Sequence, residues 1–163
     1  MAMVFNAEEV LQMAEQIERN GARFYRRAAE IVKDARVNKL LLELAAWEDG
    51  HEKIFAAMRA RLGDREREPT VFDPEHEAGL YLRAMADGHV FDVKKDPAVL
   101  LTGKETALEI LTQAIGKEKD SIIFYLGLKE FAPESLGREK IEGIIKEEMR
   151  HIGYLNRHIG ALR

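Results

Sequence analysis

Apolar residues recur at spacings of three and four along four long stretches of this chain, with few helix breakers inside them. The first stretch runs from about Asn6, a candidate N-cap, to about Lys33. Its inward stripe is Leu11, Ala14, Glu18, Ala22, Tyr25, Ala29 and Val32. The second begins after Asp34 and ends near Gly63, with the stripe Leu41, Leu44, Glu48, His51, Phe55, Met58 and Leu62. The third begins near Thr102, where Thr102 and Glu105 fit a capping box, and ends near Ala132 before Pro133. The fourth runs from about Glu134 to Leu162, with the stripe Ile141, Ile144, Glu148, His151, Leu155, His158 and Leu162.

One- or two-residue joins near Asp34 and Pro133 predict that the helices of each pair run antiparallel. The connection from Gly63 to Thr102 is long and holds one short helical segment, Pro74 to Ala86, with Asp73 as its cap. The prediction is an all-α single domain over residues 1–163: two antiparallel helical hairpins joined by a long crossover that contains a short helix. Four up-and-down helices with short loops fit that middle connection less well.

The two hairpins repeat one another at an offset of 100 residues. Glu18-Arg-Asn-Gly-Ala-Arg-Phe24-Tyr25 aligns with Glu118-Lys-Asp-Ser-Ile-Ile-Phe124-Tyr125, and Glu48-Asp-Gly-His51 aligns with Glu148-Met-Arg-His151. Apolar periodicity would reproduce Leu and Ile in any two helices. It would not place Glu on the inward face four times at matching positions.

Residues three apart share a helix face, so Glu48 and His51 point the same way, as do Glu148 and His151. Glu18 lies between Ala14 and Ala22, and Glu118 between Ala114 and Ile122. Turned inward, these faces collect four carboxylates and two imidazoles at mid-height. An ionised carboxylate costs several kcal/mol to bury, and four together cost more. No Lys or Arg lies on the same stripes at that level. Two divalent cations would balance four carboxylates and make the cluster favourable. The predicted ligands are Glu18, Glu48, His51, Glu118, Glu148 and His151, and this oxygen-rich set suits iron or manganese. Carboxylates shared between the ions would hold them about 3.5–4 Å apart.

Composition narrows the alternatives. The chain has no cysteine, which removes disulfides, thiol catalysis and thiolate metal sites. Its net charge is −4 and its basic residues are scattered, so no nucleic-acid footprint emerges. No apolar run approaches the length of a membrane span, and the N-terminal residues do not form a signal peptide. The expectation is a cytoplasmic protein with neither nucleic acid nor membrane as partner.

At the ligand positions the sequence resembles the rubrerythrin branch of the ferritin-like family, and Glu118-Lys-Asp-Ser-Ile-Ile-Phe-Tyr125 is similar to the third helix of short rubrerythrin-like proteins. The likeness covers nearly the whole chain. It implies a ferritin-like four-helix bundle and a non-haem di-iron centre, with manganese or zinc as substitutes for iron. It implies an oxidoreductase that reduces hydrogen peroxide or dioxygen in oxidative-stress defence, and a homodimer. Full-length rubrerythrins add a rubredoxin-like site held by four cysteines. With none here, electrons would come from an external donor, a rubredoxin-like protein or a reductase. A ferroxidase or iron-storage role and a metal-stabilised structural bundle are the alternatives. Rubrerythrin also carries a carboxylate one turn before its third-helix ligand. Here that place is Ile115, while the matching place on the first helix is Glu15, so the six-residue set also resembles bacterioferritin.

Other residues are secondary candidates. Tyr25 and Tyr125, two turns beyond Glu18 and Glu118, suit hydrogen-bond donors to ligand carboxylates, and Glu15 is a candidate seventh carboxylate ligand. Asn20 and Asp120 occupy equivalent places from which they could bond the histidines. Trp47 reads as core or dimer-interface packing, and Asp49, Glu52 and Glu147 as a solvated flank. His158 reads as a helix-end residue, and His76 and His89 as surface residues of the crossover.

Overall fold

In a computed structural model, described here for residues 6–68, 75, 77–86, 96–132 and 134–162, four long helices carry the fold. Helix α1 spans Ala7–Ile31. Asn6 caps it through a reciprocal box: the Glu9 N–H donates to Asn6 Oδ1 at 2.8 Å, and the Asn6 N–H donates to Glu9 Oε2 at 3.1 Å. Helix α2 spans Ala35–Ala60, where Asp34 accepts from the N–H groups of Arg36 and Val37. Helix α3, Glu77–Ala86, lies in the crossover; Asp73, Pro74, His76 and His89 fall outside the described residues. Helices α4, Ala107–Phe131, and α5, Arg138–Leu162, complete the set.

Several boundaries differ from the periodic pattern for identifiable reasons. Helix α4 starts one turn later than expected, because Thr106 and Glu109 form the capping box. The expected pair, Thr102 and Glu105, instead ties the approaching loop. The Glu105 carboxylate accepts from the Thr102 and Gly103 N–H groups at 2.7 and 3.0 Å, and these bonds hold its pKa down at about 2. The α4–α5 join is longer than one or two residues. It contains a 3₁₀ turn, Glu134–Leu136, then Gly137 at φ +88°, a left-handed conformation that suits glycine. The Arg138 guanidinium donates to the carbonyls of Ala132 and Glu130, which closes the C-terminal end of α4. Helix α2 ends at Ala60 rather than near Gly63. The last turn of α5 outruns the core, leaving His158 half-buried and Leu162 36% exposed.

Side-chain contacts fix the helix directions. Tyr25 of α1 reaches Glu118 of α4 while Tyr125 of α4 reaches Glu18 of α1, so these helices are antiparallel. Trp47 and His51 of α2 meet His151 and Glu147 of α5 in the same crossed order. Helices α2 and α4 therefore run the same way, and the chain between them must return along the bundle. A 25-residue helix is about 38 Å long, which is why the crossover cannot be a tight turn. Helix α3 packs on α4 during that return: Leu82 is fully buried, and the Tyr81 hydroxyl donates to the Ile123 carbonyl at 2.8 Å.

The bundle interior divides into two apolar clusters. One gathers Leu11, Ala14, Phe55, Leu82, Phe124, Leu128 and Ile144. The other gathers Phe24, Ala28, Leu41, Leu44, Ile110, Leu111 and Leu155. Between them lies a belt of buried Glu18, Glu48, His51, Glu118, Glu148 and His151. No helix among the described residues is long and apolar enough to cross a membrane.

Candidate metal centre

Each long helix brings its share of this belt by local spacing alone. One carboxylate comes from α1 and one from α4, and an i, i+3 carboxylate–imidazole pair comes from each of α2 and α5. They form two interlocked groups: Glu18, Glu48, His51 and Glu148 in one, and Glu48, Glu118, Glu148 and His151 in the other. Within each group the candidate ligand atoms lie within 4.8 Å of one another. Glu48 and Glu148 belong to both groups, so either carboxylate can reach two ions at once.

The imidazoles turn Nδ1 toward the interior. His51 Nδ1 lies 2.9 Å from Glu148 Oε1 and 3.4 Å from Glu18 Oε2. His151 Nδ1 lies 2.9 Å from Glu148 Oε2 and 3.5–3.6 Å from Glu48 and Glu118. Four fully buried atoms nevertheless lack a hydrogen-bond partner: Glu18 Oε2, Glu48 Oε1, His51 Nδ1 and Glu148 Oε1. Native interiors leave few buried polar atoms unsatisfied. Here the unsatisfied atoms converge on one space, and once deprotonated all carry lone pairs, the donor set that cations require.

The protonation pattern reflects the same frustration. Burial pushes the carboxyls of Glu48 and Glu118 well above the usual range, and neighbouring carboxylates, Glu148 foremost, push further. Burial opposes charge on the imidazoles, but contacts with Glu148, Glu18 and Glu118 outweigh it and hold His51 at about 11 and His151 at about 9. Glu148 moves the other way: burial raises it, yet Glu118 and the adjacent His151 and His51 imidazoles leave its carboxyl strongly acidic. Without cations, protons supply the positive charge that this cluster needs.

The surroundings clamp the carboxylates. The Tyr25 hydroxyl donates to Glu118 Oε1 and the Tyr125 hydroxyl to Glu18 Oε1, so each tyrosine serves the opposite hairpin rather than its own. Burial and the nearby carboxylates raise both phenols well above their usual value, and they stay protonated donors.

The secondary candidates take varied places around this belt. Glu15 is buried but belongs to neither ligand group, and Arg59 holds both its oxygens at 2.5 and 3.1 Å. Glu147, expected on the solvated flank, has a side chain 46% exposed, yet its Oε2 lies 2.7 Å from His51 Nε2. Asp49 and Glu52 do lie on that flank, paired with Arg26 and Arg19. Trp47 is 37% exposed and stacks on His151 with ring centroids 5.0 Å apart. Asn20 accepts from Gln16, and Asp120 interacts with Lys117. His158 bonds to the Tyr154 carbonyl within its own helix.

A family model for rubrerythrin matches residues 9–90, half of the chain. The chain belongs to the rubrerythrin family. The match covers the first hairpin and much of the crossover, so Glu118, Glu148 and His151 enter through the internal repeat and the geometry. Among solved structures, a ferritin-like diiron-carboxylate protein from Thermotoga maritima superposes with a TM-score of 0.73 at 27% identity, over the whole of both chains. No curated protein matches. The rubrerythrin-family chain is thus a ferritin-like four-helix bundle with a buried carboxylate–histidine cluster suited to two metal ions.

Proposed function

We propose that this protein is a non-haem di-iron oxidoreductase of the cytoplasm that reduces hydrogen peroxide, or dioxygen, with electrons from an external donor protein. The observation that carries the proposal is the pair of interlocked ligand groups sharing Glu48 and Glu148, found in a rubrerythrin-family chain. Glu18 and His51 would complete one position, and Glu118 and His151 the other. Oxygen-rich coordination with a single imidazole per ion favours iron, with manganese or zinc as substitutes. Two ferrous ions bound there would supply the two electrons that, with two protons taken up from solvent, convert hydrogen peroxide to two waters.

The protein's own groups perform the remaining tasks. Tyr25 and Tyr125 fix the orientation of Glu118 and Glu18, and the apolar clusters on either side keep bulk water from the belt. These 163 residues hold no cysteine and so no thiolate-held electron-transfer iron, and the proposal assigns the reducing equivalents to an external donor. A homodimer is the proposed assembly, by resemblance to short rubrerythrin-like proteins.

Stopped-flow mixing of the diferrous protein with hydrogen peroxide and, separately, with dioxygen tests the reaction. Faster oxidation by peroxide is expected. Much faster oxidation by dioxygen would overturn the peroxidase reading and favour a ferroxidase.

A further inference from the structure

The two hairpins match at every ligand but differ at the residue just before the shared carboxylate. At the offset of 100, Trp47 stands where the other hairpin has Glu147. Both side chains cross the α2–α5 interface and touch the opposite histidine, Glu147 at a ring nitrogen and Trp47 at a ring face. Glu147 Oε2 lies 2.7 Å from His51 Nε2. Trp47 instead lays its indole over the His151 ring at 5.0 Å and 11°, with the Tyr154 ring tilted against it at 5.6 Å. Among the described residues no carboxylate bonds His151 Nε2, and His151 lines a surface groove with Trp47, Glu147, Arg150 and Tyr154. Arg150, 3.9 Å from Glu147, is a cation paired with that carboxylate.

A carboxylate on the far N–H of a ligating imidazole fixes the ring and makes its other nitrogen a stronger donor, whereas an indole face supplies no such acceptor. From this asymmetry we propose that the two metal positions are inequivalent, and that Glu147 makes the Glu18–His51 position the tighter one. It fills first, and the Glu118–His151 position beneath Trp47 fills second. Glu147 is then a positioning residue that acts through His51, and Trp47 sets the weaker position by occupying the matching place. The inference rests on the two-metal reading above.

The test is calorimetric titration of the metal-free full-length chain with Co2+, following in parallel the emission of Trp47, the sole tryptophan. Two ions should bind, the second about 10- to 100-fold more weakly, and the larger loss of emission should accompany the second. Glu147→Gln should weaken the first step about tenfold and leave the second in place. Trp47→Glu, which gives position 47 the residue found at 147, should tighten the second step until the two merge. Trp47→Phe, read by calorimetry, should keep two steps. Melting curves of each metal-free variant separate binding changes from unfolding. A larger emission loss in the first step, or a first step unchanged by Glu147→Gln, would overturn the inference while leaving two bound ions. Fewer than two bound ions in the unsubstituted protein would overturn the two-metal reading and the inference together.

Discussion

Metal binding to this cluster must displace protons, and the size of that effect follows from the geometry. At pH 7 His51, with a pKa of about 11, and His151, at about 9, both hold a proton on rings whose Nδ1 atoms face the interior. Glu48 and Glu118, raised by burial and by Glu148, are held toward their protonated forms as well. Loading two ions should release at least the two imidazole protons, and more as the carboxylates contribute. Each proton displaced steepens the product of the two binding constants tenfold per pH unit, about 1.4 kcal/mol. Two protons therefore give about a hundredfold per unit between pH 6 and 8, with binding tighter at higher pH. The metal-free fold should show the opposite trend. The histidines' raised pKa values stabilise it fully below pH 6.5, and that contribution fades as pH rises through about 9 and then 11. Titration calorimetry in buffers of different ionisation enthalpy counts the protons directly. Release of fewer than one proton per two ions, or pH-independent affinity, would refute the assignment of His51 and His151 as inward-facing ligands.

Other consequences follow from single contacts. Arg59→Ala strands the buried Glu15 carboxylate and should cost about 2 kcal/mol, a fall in Tm of about 4–8 °C, while the protein still binds two ions by metal analysis. Loss of one ion in that variant would restore Glu15 as a ligand. Tyr25→Phe removes the donor to Glu118 and should weaken metal binding about tenfold or more without unfolding the bundle, as measured by competition with a chelator and by circular dichroism. A Cβ at position 127 would come within 2.2 Å of the Tyr81 ring, so Gly127→Ala should displace α3 and cost about 1–3 kcal/mol, seen as a lower Tm and faster proteolysis in the crossover.

The metal belt was readable in the sequence because charge and periodicity contradict one another there. Glu on an apolar stripe is costly, so four of them at repeated positions identify a shared interior place. The predicted burial of Glu18, Glu48, His51, Glu118, Glu148 and His151 follows from spacing within single helices. Contacts between helices were harder to read. That Tyr25 serves Glu118 rather than Glu18 depends on the antiparallel packing of α1 on α4, and that Arg59 claims Glu15 depends on the register of α1 against α2. Neither register is written in a local pattern. Glu147 had a detectable signal, its alignment with Trp47 in the repeat, but on α5 alone it reads as a surface residue. The start of α4 was misplaced because Thr102/Glu105 and Thr106/Glu109 satisfy the same motif four residues apart, and tertiary packing selects the second.

The central claim is that this bundle holds two metal ions between shared carboxylates. A crystal structure of the iron-loaded protein, with anomalous scattering recorded at the iron edge, tests it most directly. Two peaks about 3.5–4 Å apart are predicted, both within reach of Glu48 and Glu148, one beside His51 Nδ1 and the other beside His151 Nδ1. A single peak, or iron bound away from this belt, would contradict the account.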